Sequence, residues 1–133
     1  MKNFNNYLLF YDNANLVNIK VDENNEVYKD INGNIYDKDG TTLVQYTAGK
    51  VDTSFIIPDS VERIESHAFC RCTHLESVII QDSVTYMGAF AFQDDCPKLK
   101  DIYYTGSQAE WESFVYPAGW LLKDDTIHFD HIL

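Results

Sequence analysis

The strongest constraint on this chain is a stretch that repeats itself, residues 55 to 99. Its first copy reads Phe55-Ile56-Ile57-Pro58-Asp59-Ser60-Val61-Glu62-Arg63-Ile64, followed by Ala68-Phe69, Cys72 and Leu75. The second reads Val78-Ile79-Ile80-Gln81-Asp82-Ser83-Val84-Thr85-Tyr86-Met87, followed by Ala91-Phe92, Cys96 and Leu99. Ile57 to Ile80, Asp59 to Asp82, Val61 to Val84 and Phe69 to Phe92 are each 23 positions apart. The Cys and Leu pairs are 24 apart, because one residue within Gln93-Asp94-Asp95 is inserted before Cys96. A unit of this length cannot bury its apolar side alone, so a fixed period in the twenties predicts a solenoid whose units stack.

The flanks vary the same unit within one domain, residues 1–133. Residues 7–21 read as a degenerate first repeat: Phe10 to Leu16 has the spacing of Phe69 to Leu75, with Asn13 in the Cys72 slot. Leu16-Val17-Asn18-Ile19-Lys20-Val21 then repeats the frame Leu75-x-x-Val78-x-Ile80. Residues 22–52 form a hairpin-containing insertion; Asn32-Gly33 and Asp39-Gly40 are turn signals, and Ile35-Tyr36 and Leu43-Val44 flank the second. Residues 53–104 hold the two regular repeats, closed by Leu99-x-x-Ile102-x-Tyr104. Residues 105–133 read as a C-terminal cap made of a helix and a strand. Ser107-Gln108-Ala109-Glu110 is a capping-box sequence, and the helix it opens runs to about Phe114, with Trp111 and Phe114 facing the solenoid end. Pro117 and Gly119 stop that helix, and Thr126-Ile127-His128-Phe129 alternates as a last strand.

The pattern Ile-Pro-x-Ser-Val-x-x-Ile, Ala-Phe-x-x-Cys-x-x-Leu-x-x-Val-x-Ile, carried by residues 55–104, resembles the BspA-type leucine-rich repeats of bacterial and protozoan surface proteins. The departures are Gln81 where the first copy has Pro58, Met87 in place of Ile64, and the inserted residue. The run from Tyr28 to Leu43 also resembles an insertion seen in this family. The resemblance implies a short, β-rich, right-handed leucine-rich-repeat solenoid. It further implies a non-catalytic interaction module, often part of a longer secreted or cell-surface chain.

Composition narrows the partners. With 45% hydrophobic and 23% charged residues the chain has an ordinary globular make-up. A formal net charge of −11 argues against nucleic-acid phosphate and leaves a basic protein surface as the electrostatic complement. Three cysteines cannot all pair, and Cys70-Arg71-Cys72 is too tight for an ordinary bridge, so reduced thiols are expected. The repeat phase predicts Cys72 and Cys96 buried in one slot of adjacent units. No segment approaches the roughly 20 apolar residues of a membrane helix. Tyr7-Leu8-Leu9-Phe10-Tyr11 is shorter than a signal core of roughly 7–15 residues, which gives the expectation that the chain is not exported by its own sequence. All ten Asn lie in the first 34 residues and none stands in a glycosylation sequon.

Candidate chemistry is sparse. His67, Cys70, Cys72 and His74 are the densest set of zinc-type ligands, but Cys72 shares a core slot with Cys96, so a buried cysteine ladder with surface histidines is the expectation. Asp37-Lys38-Asp39-Gly40 begins like a calcium loop, yet Tyr46 stands where the closing Glu belongs, and a polar hairpin tip is expected. There is no nucleophile elbow, Gly-rich phosphate loop or His-Glu-x-x-His. No cofactor, no catalytic residue and no metal site is therefore expected.

What remains is a surface. In the frame Leu-x-x-Val-x-Ile the named residues face in, so the one between the last two faces out. Aligning the strands gives Lys20, Ile56, Ile79, Tyr103 and His128 as an outward ridge, flanked by the columns Thr53, Glu76, Lys100 and Ser54, Ser77, Asp101. The expected partner-binding residues are Ile56, Ile79, Tyr103, His128, Glu76, Lys100 and Asp101, with an unidentified protein as partner and neither nucleic acid nor membrane insertion. Two alternatives stand beside this: the β-branched residues are there because strands favour them, or the insertion folds over them. The rival function is a stand-alone acidic intracellular inhibitor that masks a basic, nucleic-acid-binding protein.

Overall fold

The period becomes two parallel ladders, because each unit contributes one strand to each of two sheets. The structure, a computed structural model, describes residues 19–47, 49–69, 72–88, 91–92, 96–114 and 126–133. In chain order the elements are β1 (Tyr28–Ile31), β2 (Asn34–Asp37), β3 (Thr42–Gln45), β4 (Ser54–Ile56) and β5 (Arg63–Ile64). They continue with β6 (Ser77–Ile80), β7 (Tyr86–Met87), β8 (Asp101–Tyr104), α1 (Gln108–Phe114) and β9 (Ile127–His128). One sheet has the order β1-β2-β3-β5-β7, the other β4-β6-β8-β9. All pairs from β3 onward are parallel, and only the β1–β2 and β2–β3 pairs are antiparallel.

Turns link the two sheets in the same way in each unit. The N–H of Val61 donates to the carbonyl of Pro58, and 23 residues later that of Val84 donates to Gln81, both at 3.1 Å. Gln81 keeps the turn without the proline and adds a bond that proline cannot make, from its Nε2 to the Ile57 carbonyl at 2.8 Å. Gly88 follows β7 against the backbone of the preceding unit. A Cβ there would stand 2.3 Å from the Ser66 nitrogen, so only glycine fits.

Between the sheets lies one apolar core. Ile57, Val61, Ile64, Ala68, Phe69, Val78, Ile80, Val84 and Ile102 have no exposed surface. Phe69 stacks on Phe92 with ring centroids 4.5 Å apart and planes 7° from parallel. Tyr46 continues that column, 5.4 Å from Phe69 at 25°. It stands 23 positions before Phe69, and its N–H donates to Ala68 O as that of Phe69 does to Ala91 O, both at 2.8 Å. The expected insertion therefore contains a rung of its own, β3. The period masks this because Leu43 and Ile64, partners in the ladder, are only 21 positions apart.

The N-terminal end of that ladder is closed by the hairpins. Ile31 pairs Asn34 across Asn32 (φ 51°) and Gly33 (φ 83°), the two left-handed residues of a type I′ turn. Tyr36 pairs Leu43 in the second hairpin, as the turn signals predict. Its Asp37 carboxylate accepts from the N–H groups of Thr41 (2.8 Å) and Thr42 (3.0 Å) and from the Thr41 hydroxyl (2.9 Å). Of the degenerate first repeat, the described residues are Ile19, Lys20 and Val21. They form no strand; Ile19 donates to Gly33 O and packs with Ile35 and Val44 in a small second core. Lys20 is exposed and sits 4.0 Å from Asp30, so it is absent from the outward ridge. Residues 7–18 lie outside the described residues.

In the described part of the C-terminal cap, α1 and β9 are the helix and strand that the sequence predicts; Pro117 and Gly119 lie outside the described residues. Glu110 N–H donates to Ser107 Oγ at 3.1 Å and Ser107 N–H to Glu110 Oε1 at 3.2 Å, a reciprocal capping box. Trp111, 5% exposed, packs on Tyr104, Phe114 and Phe129 with centroids 5.2, 5.6 and 6.4 Å away. Cys72 is buried, but Cys96 is only half-buried, which corrects the expected pair of buried thiols. The Cys96 Sγ–H donates to Phe69 O at 3.1 Å, and its side chain still packs against the core. Cys70 lies outside the described residues.

Two predictions follow from this packing. Trp111→Ala removes the plug of the last unit and should cost about 3–5 kcal/mol, read from urea unfolding. The second concerns pH. Burial pushes Tyr36 up to about 12, and burial with the charges of Glu110 and Asp82 pushes Tyr104 up to about 12. Burial pushes Tyr46 up as well. Their neutral forms are favoured in the fold, so this stability is present below about pH 10 and is lost as pH rises through about 12. Partial burial raises Asp37, but the hydrogen bonds from Thr42, Thr41 and Gly40 outweigh it and hold the carboxyl below its usual range. Its contribution is present above about pH 4 and lost as pH falls through the depressed value. Stability against pH should therefore fall at both extremes, and Asp37→Asn should flatten only the acid limb.

Candidate functional site

The site is the outer face of the β4-β6-β8-β9 sheet. Pleating sends alternate residues to opposite sides, and parallel register lines up equivalent positions of successive units. The inward row is Phe55, Val78, Ile102 and Ile127. The next position gives the outward row Ile56, Ile79, Tyr103 and His128, each paired with its neighbour in register. Ser54, Ser77 and Asp101 form a second outward row. Ile56 is 53% exposed, Ile79 and Tyr103 are half-buried, and His128 is exposed.

The far end of the row is aromatic. Tyr103 stacks on His128, centroids 4.8 Å apart at 22°, and contacts His131 at 4.7 Å. His128 Nε2 lies 2.8 Å from Asp101 Oδ1, which ties the outermost strand to β8 through side chains. Just before the strands, Lys100 Nζ lies 3.8 Å from Glu76 Oε1. Glu76 N–H donates to Thr53 O, and Lys100 N–H to Glu76 O, so the column Thr53, Glu76, Lys100 is held by backbone bonds. The face thus has an apolar end at Ile56 and Ile79, an aromatic-imidazole end at Tyr103, and a polar flank. All seven sequence-derived residues lie on or beside this one sheet.

Sequence reasoning misses His131 and the second face. His131 reaches Tyr103 because Asp130 adopts φ 54° and turns the chain back, its N–H bonding Gly106 O while that of His131 bonds Tyr104 O. A left-handed non-glycine residue leaves little trace in a sequence. On the other sheet Thr42, Arg63 and Tyr86 are in register, and the Arg63 guanidinium lies 4.0 Å over the Tyr86 ring. The 23-residue spacing of Arg63 and Tyr86 is the signal that could have found it.

Elsewhere, an open groove of about 590 Å³ runs beside the hairpins, lined by Lys20, Lys29 and Lys38 against Asp22, Glu23 and Asp30. Its charges balance. Among the described residues no group of three or more His, Cys, Asp or Glu could hold a metal ion, and no helix is long and apolar enough to cross a membrane.

His128→Ala tests how the aromatic end is held. An exposed side-chain hydrogen bond contributes about 0.5–1.5 kcal/mol, so global stability should move by no more than that. The Tyr103 ring signals in the NMR spectrum should shift clearly.

The family described as BspA type leucine rich repeat region (6 copies) matches residues 48–127. Among solved structures the chain is similar to the pneumococcal vaccine antigen PcpA, at 29% identity and a TM-score of 0.61, over 64% of this chain and 21% of that one. It is also similar to a leucine-rich repeat protein from Eubacterium ventriosum, at 27% identity and a TM-score of 0.57, over 71% of this chain and 31% of that one. The chain thus spans between 21% and 31% of the length of these two proteins. No curated protein matches it.

Proposed function

We propose that this chain, which belongs to the BspA-type leucine-rich repeat family by its match over residues 48–127, is a non-catalytic protein-binding module that works through the outer face of β4, β6, β8 and β9. The observation that carries this reading is the in-register row Ile56, Ile79, Tyr103, His128, with Ile56 half exposed at its open end. An apolar centre with a polar flank is the usual anatomy of a protein-binding patch. Because the row is fixed by backbone ladders, little ordering entropy opposes binding. The net charge of −11 favours a partner whose apolar contact is ringed by Lys and Arg. The family resemblance and the similarity to a vaccine antigen support a secreted or cell-surface setting.

The test is Ile79→Asp, at the middle of the row. The immobilised chain is exposed to extracellular proteins from its growth environment, and captured species are compared between the two forms. Asp should abolish specific capture and lower stability by only about 1 kcal/mol, its strand penalty. Capture that persists places binding elsewhere; loss of the fold identifies Ile79 as core.

A further inference from the structure

The two sheets do not end alike. The β3 side is closed by β2 and then by β1, whose outer edge carries the charged pair Lys29 and Asp30. The β4 side carries no such cover among the described residues: β4 is the first strand of its sheet and pairs only with β6. Thr53 O accepts from Glu76 and Ser77, and Ile57 N–H donates to Ile79 O. In a parallel pair alternate residues turn their backbone groups the same way. Ser54 and Ile56 therefore aim their N–H and C=O groups away from the sheet. Both residues are exposed, as is Val51 beside them at 71%. Ser54, Phe55 and Ile56 carry neither charge nor proline, two of the devices that close an edge to pairing.

We infer that the outer edge of β4 is a second binding site, which takes an extended segment of another polypeptide as an added strand. Main-chain hydrogen bonds to Ser54 and Ile56 supply the pairing. An apolar residue opposite Phe55 covers its half-exposed ring, which packs on Tyr46 at 4.9 Å. Exposed Asp52 and Asp59 bracket the edge, so the segment carries Lys or Arg at both ends. A second copy of this chain is the wrong occupant: two bodies of charge −11 repel, and antiparallel pairing of Ser54 with Ile56 of another copy sets Asp52 opposite Pro58 and next to Asp59 of that copy.

The probe is a fluorescein-labelled peptide, Lys-Lys-Thr-Val-Thr-Val-Thr-Lys-Lys, titrated into the full chain. Saturable binding, weakened by salt, should slow amide exchange at Ser54 and Ile56. Ser54→Pro removes an outward N–H and no ladder bond, so it should weaken the peptide about tenfold or more without moving the melting transition. Tyr103→Ala should leave peptide binding unchanged, which separates this edge from the outer face. Should Ser54→Pro not fold, the same peptide N-methylated at alternate amides replaces it, and must bind about tenfold more weakly. The inference is overturned by absence of saturable binding, by equal binding of the methylated peptide, or by amides at Ser54 and Ile56 already slow in the free chain. In that last case sedimentation as a dimer identifies a second copy as the occupant, and sedimentation as a monomer identifies the chain's own segments.

Discussion

The stacking of Phe69 on Phe92, with Tyr46 continuing the column, is the contact on which the rest of the structure depends. Aromatic rings prefer particular offsets and spacings, so a column of them resists sliding. In a sheet, a slip of one residue sends every side chain to the opposite face. Were the units to slip, Val78 and Ile80 would leave the core and Ile79 would enter it. The aromatic column and the surface row are thus two consequences of one register. The inserted residue tests that register and does not break it. Cys96, just after it, is half-buried, and in β8 Ile102 pairs with Val78 in register.

This explains which features were legible in the sequence. The pairing Ile56, Ile79, Tyr103 could be read directly, because the repeated residues are large, apolar and regularly spaced, and burial leaves them few alternatives. The capping box at Ser107 and Glu110 could be read because each side chain satisfies a backbone group only one turn away. Harder to see was β3, whose Leu43 and Tyr46 are three positions apart where Ile64 and Phe69 are five apart. A shorter loop shifts the period while leaving the rung intact. Lys20 was misread for the opposite reason. Its local frame matches the repeat, but Ile19 has the hairpin residues Ile35 and Val44 as nearer apolar neighbours. Pattern gives the periodicity of a segment and not the surface on which it docks.

The ends of a solenoid are where stacking stops contributing, and here three solutions coexist. The hairpins β1 and β2 cover one sheet with antiparallel strands whose turns need left-handed residues. The α1 segment covers the other end of the core with Trp111, because a helix satisfies its own backbone and leaves no edge. The edge of β4 has no covering strand among the described residues, and Ser54, Phe55 and Ile56 carry no charge. The difference is physical: β3 is buried throughout and needs a strand beside it, whereas β4 already exposes Ser54 and Ile56.

Scale decides what such a face can do. Four strands about 4.8 Å apart span roughly 14 Å, and three or four residues add about 13 Å along them, so the ordered face measures on the order of 200 Å². A stable complex buries about 800 Å² per partner. The row from Ile56 to His128 can therefore be the anchor of an interface but not the whole of it. Anchors of this kind contribute most of the energy when surrounding contacts exclude water. Those contacts can come from the Glu76 and Lys100 flank, from the β4 edge, or from further units stacked in register. This chain spans less than a third of two longer solved relatives. An added unit widens the face by one strand and deepens the core by one aromatic ring, so affinity and stability grow through the same register.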